Sequence, residues 1–178
     1  LSYQQVFNQF LKIDPLSVSL AELSELATHK LGGLPDELER DDYLALLFEG
    51  CIEPYLGQKG EVAFIYDYPA SQASLARLDD NNPEVACRFE VYWQGVELAN
   101  GFYELTDADL QKQRFEQDNL WRKGNDKEEI DIDPYLLAAL SHGLPECSGV
   151  ALGLDRLLMI LLDYNHIQDV IAFPADRA

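Results

Sequence analysis

Basic residues are scarce in this sequence, and their scarcity excludes more than any other feature of the composition. Thirteen lysines and arginines stand against 32 aspartates and glutamates, a formal net charge of −19. A surface of that sign repels a phosphate backbone, so any nucleic-acid contact is expected to come from elsewhere. Cysteine is equally thin. Cys51, Cys87 and Cys147 are an odd number at wide spacing, which argues against a disulfide framework or a Cys-x-x-Cys metal site and fits a reducing cytoplasm. His29, His142 and His166 are scattered, with no His-Glu-x-x-His pattern, so zinc chemistry is not expected. No apolar run approaches the roughly 20 residues of a membrane span, since ALGLDRLLMILL is broken by Asp155 and Arg156. Neither a Gly-x-Gly-x-x-Gly spacing nor a Gly-Lys-Ser/Thr phosphate loop occurs. The chain opens on Leu1 without the basic start and small-residue cleavage site of a signal peptide, and reads as an excised piece of a longer protein.

What is present suffices for one packed core: 178 residues, 47% of them hydrophobic. The first sixty read as helices. Val6, Phe7, Phe10 and Leu11 form one apolar stripe that Asp14 and Pro15 stop. Ser19 and Glu22 have capping-box spacing, Leu20, Leu23 and Ala27 share a face, and Gly32 and Gly33 end that helix. Tyr43, Leu44, Leu47, Phe48 and Ile52 predict a third helix.

From Glu61 the period changes to two. Val62, Phe64, Tyr66 and Tyr68 alternate with Ala63, Ile65 and Asp67 until Pro69. Phe89, Val91 and Trp93 alternate with Glu90, Tyr92 and Gln94, and after a Gln94-Gly95 turn Val96 and Leu98 continue the pattern as a hairpin. Thr106 and Asp109 predict the start of a polar helix running toward Gly124, and Asp133-Pro134 the start of another that stops at Gly143. Ser148 to Leu152 reads as a short strand feeding a helix from Leu154 to Leu162. The sum is an α+β fold, with a helical part over 1–60 and a sheet-and-helix part over 61–178.

Chemistry concentrates on the hairpin. With a two-residue turn, Tyr92 lies opposite Glu97 and Glu90 opposite Ala99, which makes Glu90 and Glu97 diagonal neighbours on one face. Phe89, Val91, Trp93, Val96 and Leu98 are expected to face the core on the other. Two like charges so close call for water or a cation between them, and paired carboxylates suit magnesium; the plain alternative is that both point at water. Strict alternation puts Asn100 and Glu104 on the face opposite Glu97, so a shared pocket needs a bulge near Asn100-Gly101. In SGVALGLDRLLMILL, Gly149 and Gly153 allow close backbone approach, and Arg156 begins a helical run suited to nucleotide phosphates. Its plain alternative is a tight strand-to-helix turn with Arg156 in a structural ion pair.

Taken in order, NNPEVACRFE, the hairpin with Glu97 through Glu104, QRFEQD, HGLPECSGVALGLDR and the terminal DVIAFPADRA resemble the second half of the class II aminoacyl-tRNA synthetase catalytic domain, in its lysyl subgroup. Within it the likeness is greatest to paralogues that attach β-lysine to a lysine of elongation factor P instead of to tRNA. PASQASLAR stands where true synthetases usually show Ser-Pro-Leu-Ala, and Ala151 replaces the middle glycine of a Gly-x-Gly-x-Gly. The resemblance implies a class II antiparallel sheet flanked by helices, working with ATP and magnesium. It implies that Glu90 and Glu97 hold magnesium on ATP, that Leu98 and Gly153 line the nucleotide site, and that Arg156 contacts the triphosphate as the catalytic arginine. Glu104 would bind the side-chain amine of lysine or β-lysine, Asn100 would orient the amino acid, and Ala151 would reshape the pocket floor. The first two class motifs, which carry the homodimer contact and a second arginine, are missing from the chain and are expected to precede Leu1; the isolated chain is expected to be inactive. A fragment of a true lysyl-tRNA synthetase and a non-catalytic amino-acid- or nucleotide-binding domain are the competing readings.

Overall fold

The computed structural model describes residues 1–35 and 38–175; the last three residues of DVIAFPADRA lie outside it. Three helices come first: α1 (Tyr3–Leu11), α2 (Leu20–Leu31) and α3 (Arg40–Cys51). Two of them start from side chains that satisfy orphan amides, α2 as expected. Ser2 and Gln5 form a capping box on α1, and Ser19 and Glu22 form one on α2. Helix α1 ends at Leu11, short of the Asp14-Pro15 stop, because Lys12 takes the left-handed conformation with φ 61°. Leu23 and Ala27 of α2 are fully buried, whereas Leu20 points outward.

Four antiparallel strands follow in simple order: β1 (Ala63–Pro69), β2 (Val85–Trp93), β3 (Val96–Tyr103) and β4 (Ser148–Leu152). Between β3 and β4 run α4 (Ala108–Gly124) and α5 (Pro134–His142), and α6 (Leu154–Leu161) comes last. The N-cap of α4 is Asp107, which accepts from the Leu110 amide, not Thr106. Asp133 caps α5 with Pro134 at its first position, as the sequence predicts.

The β2–β3 hairpin turns through Gln94 and Gly95, both at positive φ, the backbone of a type I′ turn. Tyr92 faces Glu97 as expected, but Glu90 pairs with Asn100 and not with Ala99. The register slips because Leu98 is an extra residue between the pairs Val91–Ala99 and Tyr92–Glu97. A second register shift lies between Tyr66 and Tyr68, where Asp67 has φ 58°, and Tyr68 is buried like Ile65 while Phe64 and Tyr66 stay outside.

The helical layer decides where the core sits. Helices α1 to α3 lie against Ile65, Tyr68 and Tyr92, and the buried Tyr3, Val6, Phe7, Leu23, Leu44, Leu47 and Ile52 complete one cluster with them. The core is therefore on the Glu90 side of the sheet. Phe89, Val91, Trp93 and Val96, expected to face it, are only partly buried on the other side, beside the exposed Phe64, Tyr66, Val150 and Leu152. Leu98 is buried as the bulged residue. Both faces of β2 carry apolar side chains, and the helical layer covers the one that also holds Glu90.

Candidate active site

One row crosses all four strands: Ile65, Glu90, Asn100 and Ala151 are successive cross-strand partners and so share a face. The Leu98 bulge adds Glu97 to that face by pairing it with Tyr92, two residues along from Glu90. The shared pocket thus has the bulge it requires, though at Leu98 and not at Asn100-Gly101. Gly101 has a different task, since a side chain there would collide with the Phe89 ring and the Gly149 carbonyl.

Glu97, Leu98, Asn100, Ala151, Gly153 and Arg156 line one open hollow of about 360 Å³. Arg156 Nη1 donates to both the Glu97 carbonyl oxygen, at 2.8 Å, and its Oε2, at 3.1 Å. The Gly153 amide donates to the Leu98 carbonyl oxygen at 2.8 Å, which ties the β4–α6 turn to the bulge. Gly153 has room for a methyl group, so the expectation of close approach holds only at Gly149, where a methyl would run into Glu104 Oε1.

Glu97 is also a wall of a second hollow of about 190 Å³, shared with Glu90, Glu49, Glu53, Arg88, Tyr68 and Tyr92. Glu90 is 7% exposed and fully engaged. Tyr68 Oη donates to its Oε2 at 2.5 Å, and Tyr92 Oη donates to the same oxygen. Arg88 Nη2 and Asn100 Nδ2 donate to Oε1 at 2.5 and 3.0 Å. Burial, with the neighbouring Tyr92 and the Glu90 charge behind it, pushes the Tyr68 phenol far above its ordinary range. Burial and then Glu90 do the same to Tyr92, so both hydroxyls stay protonated donors. Burial likewise raises Glu53, helped by Glu49, Glu97 and Glu90 and opposed by Arg156.

Glu104 is not brought into either hollow. It lies across Gly149 and lines a third space of about 350 Å³ with Arg77, Asp80, Thr106 and Glu146. Arg88, Tyr68, Tyr92, Glu49 and Glu53 were not singled out by sequence. For Tyr92 and Arg88 a signal existed, because each stands two residues from Glu90 on the same strand face.

A magnesium ion fits this chemistry. Glu97 lines both hollows and accepts a side-chain hydrogen bond from Arg156 alone among the described residues. No cluster of three His, Cys, Asp or Glu side chains among the described residues is placed to hold a metal by itself. Magnesium commonly takes one or two carboxylates and completes its shell with substrate phosphates and water. No helix among the described residues is long and apolar enough to cross a membrane.

Comparison with known proteins gives the family. Residues 27–177 match the family model described as tRNA synthetases class II (D, K and N). Over its whole length the chain is 54% identical to a Pectobacterium carotovorum protein and to a Yersinia pestis protein, and 51% identical to one from Hamiltonella defensa. All three are named "Elongation factor P--(R)-beta-lysine ligase". The chain spans 55% of the length of each of these curated relatives. From the match across most of its length and the motifs that line the two hollows, the chain belongs to the class II tRNA synthetase family.

Proposed function

We propose that this chain carries part of the active site of a ligase that activates (R)-β-lysine with ATP and transfers it to a lysine of elongation factor P. In the first step a carboxylate oxygen of the amino acid attacks the α-phosphorus and pyrophosphate leaves; in the second a lysine amine displaces AMP and loses a proton. The observation that carries the reading is the Leu98 bulge, which sets Glu97 on the face of Glu90 and Asn100 with Arg156 bonded across it.

Each residue then has a task suited to its chemistry. Arg156, anchored through Nη1 alone, keeps its other guanidinium nitrogens for phosphate oxygens and stabilises charge as pyrophosphate departs. Leu98 and Gly153 supply a wall against the nucleotide. Asn100 orients the amino acid, and Ala151, its cross-strand partner, narrows the floor by one methyl group. Glu104, whose Oε1 lies over Gly149 on β4, takes the side-chain amine. Glu90 and Glu97 hold magnesium, which neutralises phosphate charge when bound. Catalysis by such a set is positioning and electrostatics.

The charge of −19 favours a protein acceptor over the tRNA backbone for this part of the molecule. The cytoplasm, where elongation factor P is met, and a homodimer of the full-length protein complete the proposal. The test is Glu97→Ala in the full-length protein, read by ATP–pyrophosphate exchange with (R)-β-lysine. A loss of about a hundredfold or more is expected; exchange at the parent rate would remove the metal assignment. The same assay on the 178-residue chain alone should give no appreciable exchange.

A further inference from the structure

A carboxylate offers about four lone-pair positions, and Glu90 has all of them taken. Its four donors are unequal. Arg88 is charged, and its guanidinium is held over the Tyr68 ring at 4.6 Å with Nη1 fixed on the Gln72 carbonyl oxygen. Tyr68 and Tyr92 are buried phenols locked in the aromatic packing of Tyr3 and Phe48. Asn100 is neutral, makes the longest bond of the four, and has its Oδ1 buried without a partner among the described residues. A cation that bonds Glu90 directly must displace one donor, and Asn100 is the cheapest to displace.

Resting on the ligase reading, we propose that Tyr68, Tyr92 and Arg88 are positioning residues that aim Glu90 at the divalent cation, and that Asn100 is the donor the cation displaces. The displaced amide is then free for the amino acid, its unpartnered Oδ1 turning with it. Metal–nucleotide and amino acid therefore bind cooperatively through one hydrogen bond, and by linkage each strengthens the other by the same factor.

The test uses the full-length protein with Mn2+ and a non-hydrolysable ATP analogue, the free ion being followed by electron paramagnetic resonance and folding by thermal melting. The double change Tyr68→Phe, Tyr92→Phe keeps both rings and removes only the hydroxyls. It should weaken Mn2+ about tenfold or more, as loss of supporting hydrogen bonds around a metal ligand does. Asn100→Ala should move the other way and tighten Mn2+ severalfold, because a competitor for Glu90 has gone. Tyr43→Phe, another buried ring of the same core that gives Glu90 no bond, should leave Mn2+ affinity within twofold. Unchanged affinity in the double variant, equal weakening by Tyr43→Phe, or weakening by Asn100→Ala would each overturn the proposal. A parent protein that binds no Mn2+ with the analogue, or a Glu97→Ala variant that binds it as tightly as the parent, would overturn the ligase reading instead.

Discussion

The two ends of the chain are about equally rich in apolar side chains but use them in opposite ways. In α1 to α3 the large apolar groups find partners within the chain. Val6, Phe7, Leu23, Leu44, Leu47 and Ile52 are all fully buried against one another or the sheet. From α5 onward they mostly do not. Tyr135 and Phe173 are 85% and 80% exposed, Leu154 and Leu161 69% and 61%, and among the described large apolar residues there only Leu140 and Ile160 are buried. A helix is held mainly by the apolar face it buries, so the front of this molecule stabilises itself while α6 lies open.

The sharpest way to break the comparison is to remove one side chain from the front. Phe7→Ala should cost about 3–5 kcal/mol and abolish cooperative melting of a marginally stable chain, measured by denaturant titration. A loss near that of a surface change would mean that the helical layer does not carry the fold. A smaller effect is expected where this layer meets the sheet. Glu53 is raised by burial and by Glu49, Glu97 and Glu90, so the folded chain binds its proton more tightly than the unfolded chain. Stability should fall as pH rises from the ordinary glutamate value of 4.5 through the raised folded one, and stay reduced above it. Glu53→Gln should thus raise the melting temperature at pH 7 to 8 and leave it unchanged near pH 4. A gain independent of pH would assign the effect to packing. Smallest of all, Leu161→Ala should change the stability of this chain by less than about 0.5 kcal/mol, as an exposed position does. A cost of several kcal/mol would show that α6 is packed after all.

Most of the fold was legible because its signals are local. Capping boxes at Ser19 and Glu22, the Asp133-Pro134 start and the Gln94-Gly95 turn each act within a few residues, and the elements begin there. The choice of sheet face was not legible. Phe89, Val91 and Trp93 look as fit for a core as Ile65, Tyr68 and Tyr92, and what decides is which side the front helices cover, through contacts between residues distant in sequence such as Tyr3 with Tyr68 and Phe48 with Tyr92. The register shifts at Leu98 and between Tyr66 and Tyr68 were hidden for a related reason: alternation counts residues, and one extra on either strand merely resets the count. At the site, Glu97, Leu98, Asn100, Ala151, Gly153 and Arg156 were named from motif likeness and line one hollow, with Glu90 next to it and Glu104 apart. The hydroxyls around Glu90 escaped because a tyrosine in a strand reads as an apolar residue until its oxygen finds a carboxylate.

The extra residue in β3 has a consequence for how this strand tolerates change. Downstream of Leu98 every side chain is phased by that single insertion, so replacing Leu98 by another apolar residue leaves the pattern intact, while losing one position would turn Glu97 away from Glu90 and Asn100 together. Length at this point is held more tightly than identity, and homologous proteins could trade letters here far more easily than they could drop one.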